Sequence, residues 1–285
     1  MAARPTIATM GLMVIALVWG ALLPVSAQVS PSTTDDIAQW IEDLDSGDPS
    51  IRAEAALNLG HVGATEAVAP LLARIGDPDP SAGYRIAVAL GQIAAPESVD
   101  SLVRTLNDRD EMSRWRAAKA LGLMGARQAV PALSFALSNA GPLVVGAAAE
   151  ALGLIGTSDA YDRLINALRD DQWTPRRQAA TQALESAGPA AVPRLLEALA
   201  DGRDAQRRNV AVLLGFMGDP GAVPGLIQAL NDRVPAVRAS AAWALGQVGD
   251  PSAILPLEEL WRRDTHALVQ RQAALALVRL ETGER

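Results

Sequence analysis

Along most of the chain, apolar residues recur at i, i+3, i+4 and i+7 in short runs of two alternating kinds. The first kind reads AVPGLIQAL at 222–230, with copies at Val68/Leu71/Leu72/Ile75, Val99/Leu102/Val103/Leu106 and Val192/Leu195/Leu196/Leu199. This spacing predicts one buried face of an amphipathic helix. Pro70, Pro131, Pro193 and Pro224 stand beside its start, where a missing N–H costs nothing. A polar turn follows, with Asp77, Asp108, Asp171, Asp201, Asp232 and Asp264 in one column. The second kind reads VRASAAWALGQVG at 237–249 and predicts a longer helix. It ends on Gly63, Gly125, Gly156, Gly188, Gly218 or Gly249, as a left-handed C-cap requires.

The second run carries a leucine column at 59, 90, 121, 152, 184, 214, 245 and 277. Successive spacings are 31, 31, 31, 32, 30, 31 and 32 residues. A period this regular predicts an all-α, right-handed α-solenoid of about eight two-helix units over residues 35–285. One unit does not fold alone. Ordering ~31 residues costs ~1–2 kcal/mol each, and half a dozen buried aliphatic side chains return only ~1.5–3 kcal/mol each. Neighbouring units must share the core. Glycine follows the column leucine in six units, inside a helix, where it costs ~1 kcal/mol relative to alanine. The adjoining Ala-Ala pairs point the same way: second helices pack closely on the next unit. Glu185 replaces that glycine in unit five and predicts an irregular junction there, whereas Val278 in unit eight has no following unit to meet.

These units, as in AVPGLIQALNDRVPAVRASAAWALGQVGD at 222–250, resemble a HEAT repeat in the short form of the phycobilisome-lyase-like HEAT proteins. The resemblance implies a structural ladder, in which a turn aspartate and an arginine six residues later are tied along the solenoid. The matching positions are Asp108 with Arg114, Asp171 with Arg177, Asp201 with Arg207 and Asp232 with Arg238. Unit two has Gly83 at the arginine place, and unit four has Asn139 and Val145, so the ladder is expected to break there. Such charge-assisted bonds belong to the scaffold.

Residues 1–27 fall outside the repeat. Arg4, an apolar run from Met10 to Leu23, Pro24 and the small-residue end Val25-Ser26-Ala27 have the layout of a secretory signal peptide. Cleavage after Ala27 predicts an exported protein, periplasmic or secreted; an uncleaved membrane anchor is the alternative. Residues 28–34 read as a flexible linker, and no later segment is apolar enough to span a bilayer.

Composition narrows the chemistry. There is no cysteine, which excludes disulfides and thiolate sites, and the net charge is −7, a poor basis for nucleic-acid binding. The two histidines, His61 and His266, lie in different units far apart, and no histidine is followed by glutamate as the metal motifs of deoxyhypusine hydroxylase demand. No catalytic constellation, metal site or cofactor motif is found. Asp77-Pro-Asp79-Pro-Ser81-Ala82-Gly83 looks like a calcium loop, but its glycine is one place late and Val88 stands where the bidentate glutamate belongs.

A protein or peptide partner is the expected ligand, bound on the concave face that second helices line. Variable positions there are candidates: Tyr84, Arg85, Trp115, Arg116, Lys119, Arg208 and Trp243. Tyr84 and Trp115 share a column in adjacent units with cations beside them, the make-up of an interface hot spot; the alternative is that both rings fold back over the alanine-rich seam. Leu123, Leu143, Val145 and Leu154 around unit four form either an exposed apolar patch or a locally deeper core. An accessory role beside an exported enzyme or a small ligand is the second functional reading.

Overall fold

A computed structural model describes residues 34–170 and 172–283. Their helices form eight pairs: α1 (Thr34–Asp43) with α2 (Pro49–Val62), α3 (Val68–Ala73) with α4 (Pro80–Ile93), α5 (Val99–Thr105) with α6 (Glu111–Leu123), α7 (Val130–Asn139) with α8 (Pro142–Ile155), α9 (Ser158–Ala167) with α10 (Pro175–Ala187), α11 (Val192–Asp201) with α12 (Asp204–Met217), α13 (Val223–Ala229) with α14 (Pro235–Val248), and α15 (Ile254–Arg263) with α16 (Ala267–Thr282). No strand occurs among the described residues. The protein is an α-solenoid, one helix pair per period.

Local chemistry sets each boundary. Asp48, Asp79, Asp110, Thr157 and Thr174 cap their helices by accepting from backbone N–H groups one turn in. Glycines at 63, 156, 218 and 249 end second helices with φ between 63° and 78°. Unit two has Ala94 at this place, held at φ 51°, a left-handed conformation that disfavours a Cβ. Unit five departs differently: Gly188 takes φ 60° with ψ −141° and leads straight into a 3-10 turn.

The core is the predicted one. Seven column leucines, from Leu59 to Leu245, are buried, whereas Leu277, with no unit beyond it, is only partly covered. The glycine column is where second helices touch. A Cβ built on Gly60 would lie 2.8 Å from the Ala89 Cα, one on Gly122 2.6 Å from the Ala151 Cα, and one on Gly246 2.8 Å from the Ala276 Cα. These neighbours are backbone atoms, so they cannot swing aside. The exception is the junction between α10 and α12, whose helices meet at few points, beside Glu185. A side chain in the seam holds the backbones apart.

Gly122→Ala therefore separates units three and four. It is expected to lower stability by about 1–3 kcal/mol through overpacking, despite the gain in helix propensity. Gly146→Ala, in α8 with open space around its Cα, is the control and should stabilise by up to about 1 kcal/mol. Urea midpoints of the two variants read the contrast directly. Equal midpoints would remove the close-approach explanation.

Candidate functional site

The ladder exists, with different partners from those the resemblance implied. Arginines reach forward to the next unit's turn. Arg52 binds Asp77 through Nε and Nη2 at 2.7 and 2.9 Å, Arg207 binds Asp232 at 2.6 and 2.9 Å, and Arg238 binds Asp264 at 2.6 and 3.0 Å. Within its own unit each arginine donates Nη1 to a turn carbonyl: Ser46, Gly202 and Asp232 respectively. Asp108 and Arg114 are thus not an ion pair; Arg114 donates to the Asp108 and Arg109 carbonyls. Asp201 is exposed at the end of α11 and takes no rung, while Arg177 donates to the Asn209 side chain and stacks over Trp173. Asp171 lies outside the described residues. Burial alone would raise the Asp77 and Asp232 carboxyls, but the arginine hydrogen bonds and a backbone N–H hold both below the usual range.

Arg116 is a correction. It was expected on the binding face, yet it is only 2% exposed. Its guanidinium fills the space where Gly83 has no side chain: a Cβ at Gly83 would lie 2.0 Å from the Arg116 Cζ. Nη1 donates to the Ile75 and Asp77 carbonyls at 2.9 and 2.8 Å. Asp77 is the turn residue that a ladder arginine at 83 would serve. The arginine missing from unit two is thus supplied from unit three. Asn209, in the same column of unit six, likewise bonds the Leu168 and Asp170 carbonyls of unit five.

The remaining candidates divide into two groups. Tyr84 and Trp115 meet, with ring centroids 6.1 Å apart, Tyr84 exposed and Trp115 half-buried on the core. Trp115 leans on the core as the second reading expected, while Tyr84 keeps its ring in solvent. Arg85 beside them is exposed, but the Lys119 ammonium is taken by Glu150 of the next unit. Around unit four, Leu123, Leu143 and Leu154 are exposed while Val145 is core. Far along the array, Trp243 packs edge-on to Phe216 at 5.0 Å, and Phe216 is 67% exposed. Arg208 lies half-buried beside Asn209 and bonds its side chain. Phe216 is not among the residues expected from the sequence; an aromatic two places after the column leucine was the available signal.

Glu185 opens the junction between units five and six. A cavity of about 310 Å³ lies there, lined by Glu185, Gly188, Pro189, Phe216, Met217 and Asp219. Glu185 remains reachable by solvent, but surrounding protein atoms crowd it and push its carboxyl pKa up from the ordinary glutamate value. It makes no hydrogen bond or ion pair, so the acid is available to a ligand.

Among the described residues no group of three or more potential ligands is placed to hold an ion. In the calcium-like loop, Asp77 is spent on Arg52 and the Asp79 N–H, and Asp79 caps Ser81 and Ala82. No described helix is long and apolar enough to cross a membrane.

Comparison with solved structures supports the fold. The chain aligns with the karyopherin Kap121p bound to Ste12p at 16% identity and a TM-score of 0.51, over 88% of this chain and 34% of that one. It also aligns with human deoxyhypusine hydroxylase (26% identity, 91% of this chain, 100% of that one, TM-score 0.40). A third alignment is with the CpcE–CpcF complex of phycocyanin lyase from Nostoc sp. (24% identity, 91% and 99%, TM-score 0.44). No curated protein matches significantly. Residues 37–112, 103–185 and 192–278 match HEAT repeats, and so, with most of its length covered, the chain belongs to the HEAT-repeat family.

Proposed function

We propose that this protein is an exported, non-catalytic HEAT scaffold that holds a protein or peptide against its second helices. The observation that carries this reading is the use of variable columns. While the leucine, glycine and alanine columns repeat for packing, the free columns bring Tyr84 to Trp115 and Phe216 to Trp243 across unit boundaries. Aromatic pairs with one exposed ring and one anchored ring supply contact area with little entropy left to lose. Export rests on the leader pattern of residues 1–27. An accessory role with a small ligand is the second reading, favoured by the cavity beside Glu185, whose volume of about 310 Å³ is at the lower end for small-molecule sites.

Affinity capture from envelope extract tests the first reading. Wild type, Tyr84→Ala/Trp115→Ala and Phe216→Ala are immobilised in parallel, after circular dichroism shows equal helicity. A partner retained by the wild type and depleted at least tenfold on one variant locates the surface. Equal retention on all three columns moves binding elsewhere, and an empty wild-type column overturns the scaffold reading.

A further inference from the structure

We propose that the turn edge of units four to six is a binding site for a phosphate or sulfate group carried by a small ligand. This goes beyond the aromatic surface and does not depend on it. A cavity of about 440 Å³ there is lined by Arg163, Arg169, Arg176 and Arg203, drawn from α9, the turn after it, α10 and the start of α12. Four arginines around one cavity stand out in a chain whose net charge is −7.

Two of the four have no carboxylate to neutralise them. Arg203 is exposed, and its guanidinium makes no bond. Arg169 is aimed by a single neutral contact: its Nε donates to the Oε1 of Gln206 at 3.2 Å. Gln206 is itself buried and pinned by its Nε2 donating to the Ile165 carbonyl. The Arg169 terminal nitrogens are thus held in place with their donors unspent. The other two are paired: Arg163 with Asp159 on its own helix, and Arg176 with Asp170, itself part of the lining.

Asp170 is the one acid among the described residues of the lining, and its carboxylate is engaged. Its oxygens accept from Arg176 Nε and Nη2 and from the Thr174 hydroxyl. The rest of the polar lining, Ser134, Ser138 and Asn166, can donate further hydrogen bonds. A ring of donors with its acid already satisfied fits a tetrahedral oxyanion, because a guanidinium matches two of its oxygens at once. The volume leaves room for the rest of an ester.

Isothermal titration at constant ionic strength tests this on the purified protein. The probes are inorganic phosphate, inorganic sulfate, and the phosphate and sulfate monoesters of one sugar, with chloride as control. The expected result is saturable binding of at least one probe at one site per chain. Arg169→Gln/Arg203→Gln should weaken it at least tenfold, and Arg203→Gln alone, an exposed side chain with no structural contact, at least threefold. The tighter ester identifies the source of the group. No saturable heat with any probe, equal binding by chloride, or unchanged affinity in Arg203→Gln overturns the proposal. Retention on the capture columns above should be untouched by these variants, so the two readings fail separately.

Discussion

Arg116→Met is expected to destabilise units two and three by about 1–3 kcal/mol for each of the two buried carbonyls it leaves without a donor. The methionine keeps the volume of the stem but leaves the Ile75 and Asp77 carbonyls, now bonded at 2.9 and 2.8 Å, without their donor. It also empties the space over Gly83. In a solenoid the loss is local, so the N-terminal units should unfold ahead of the rest and the denaturation curve should broaden. A double-mutant cycle separates this from a general packing defect. Gly83→Arg alone should be strongly destabilising, since its Cβ would fall 2.0 Å from the Arg116 Cζ. With Arg116→Ala beneath it, the same substitution should recover part of the loss, because an arginine at 83 stands where Arg52 and Arg207 stand in their units. Urea denaturation of wild type, Gly83→Arg, Arg116→Ala and the double variant gives the coupling. If Gly83→Arg is equally harmful in both backgrounds, the supply of the missing arginine by Arg116 is wrong.

The second large effect is Arg207→Met, expected to cost about 3–5 kcal/mol at neutral pH. Arg207 is buried, chelates Asp232 with two bonds and ties down the Gly202 carbonyl. Its removal leaves the Asp232 carboxylate in a largely closed site. The pH dependence distinguishes this from lost packing. In the wild type, burial pushes the Asp232 carboxyl up but the Arg207 hydrogen bonds outweigh it, and the pKa is depressed. A depressed folded pKa contributes stability that is present above the unfolded value, about 4, and is lost as pH falls through the folded value. In the variant burial is opposed only by the Val234 N–H and the Arg233 charge, so Asp232 protonates more readily and the penalty is relieved in acid. The gap in unfolding free energy between wild type and variant should therefore narrow from pH 7 to pH 3. A constant gap would mean that the charge pair is not the source.

The rungs do not run the whole length of the array. Three rungs tie units one to two, six to seven and seven to eight, all through the same arginine-to-next-aspartate geometry. Between units five and six the tie is instead Arg177 to Asn209, a neutral acceptor, and the glycine seam is interrupted by Glu185. Weakened packing coincides there with the small cavity beside Phe216 and, across the turn edge, with the four arginines. Local departures from a repeat's own rules are where function is to be sought.

By itself the sequence determined the architecture. Helix pairs, their number, the leucine core, the close approach at the glycine column and the irregular junction at Glu185 were all legible, because each unit must satisfy the same packing constraint and so writes the same residues. The ladder was legible as a composition but not as a geometry. A column of aspartates and a column of arginines do not say whether a side chain bonds its own turn or the next one; here Arg52, Arg207 and Arg238 do both, and only the placement of neighbouring units decides it. Arg116 is the clearest case. On the helical wheel it lies on a variable, surface-facing column, indistinguishable from Arg85. What buries it is an absence elsewhere, the missing side chain of Gly83, 33 residues earlier. The same holds for Lys119, whose charge is consumed by Glu150, and for the arginine-ringed cavity, whose members come from separate elements. Periodicity reports what every unit shares. Contacts that one unit makes with another because it differs from it exist only once the units are stacked.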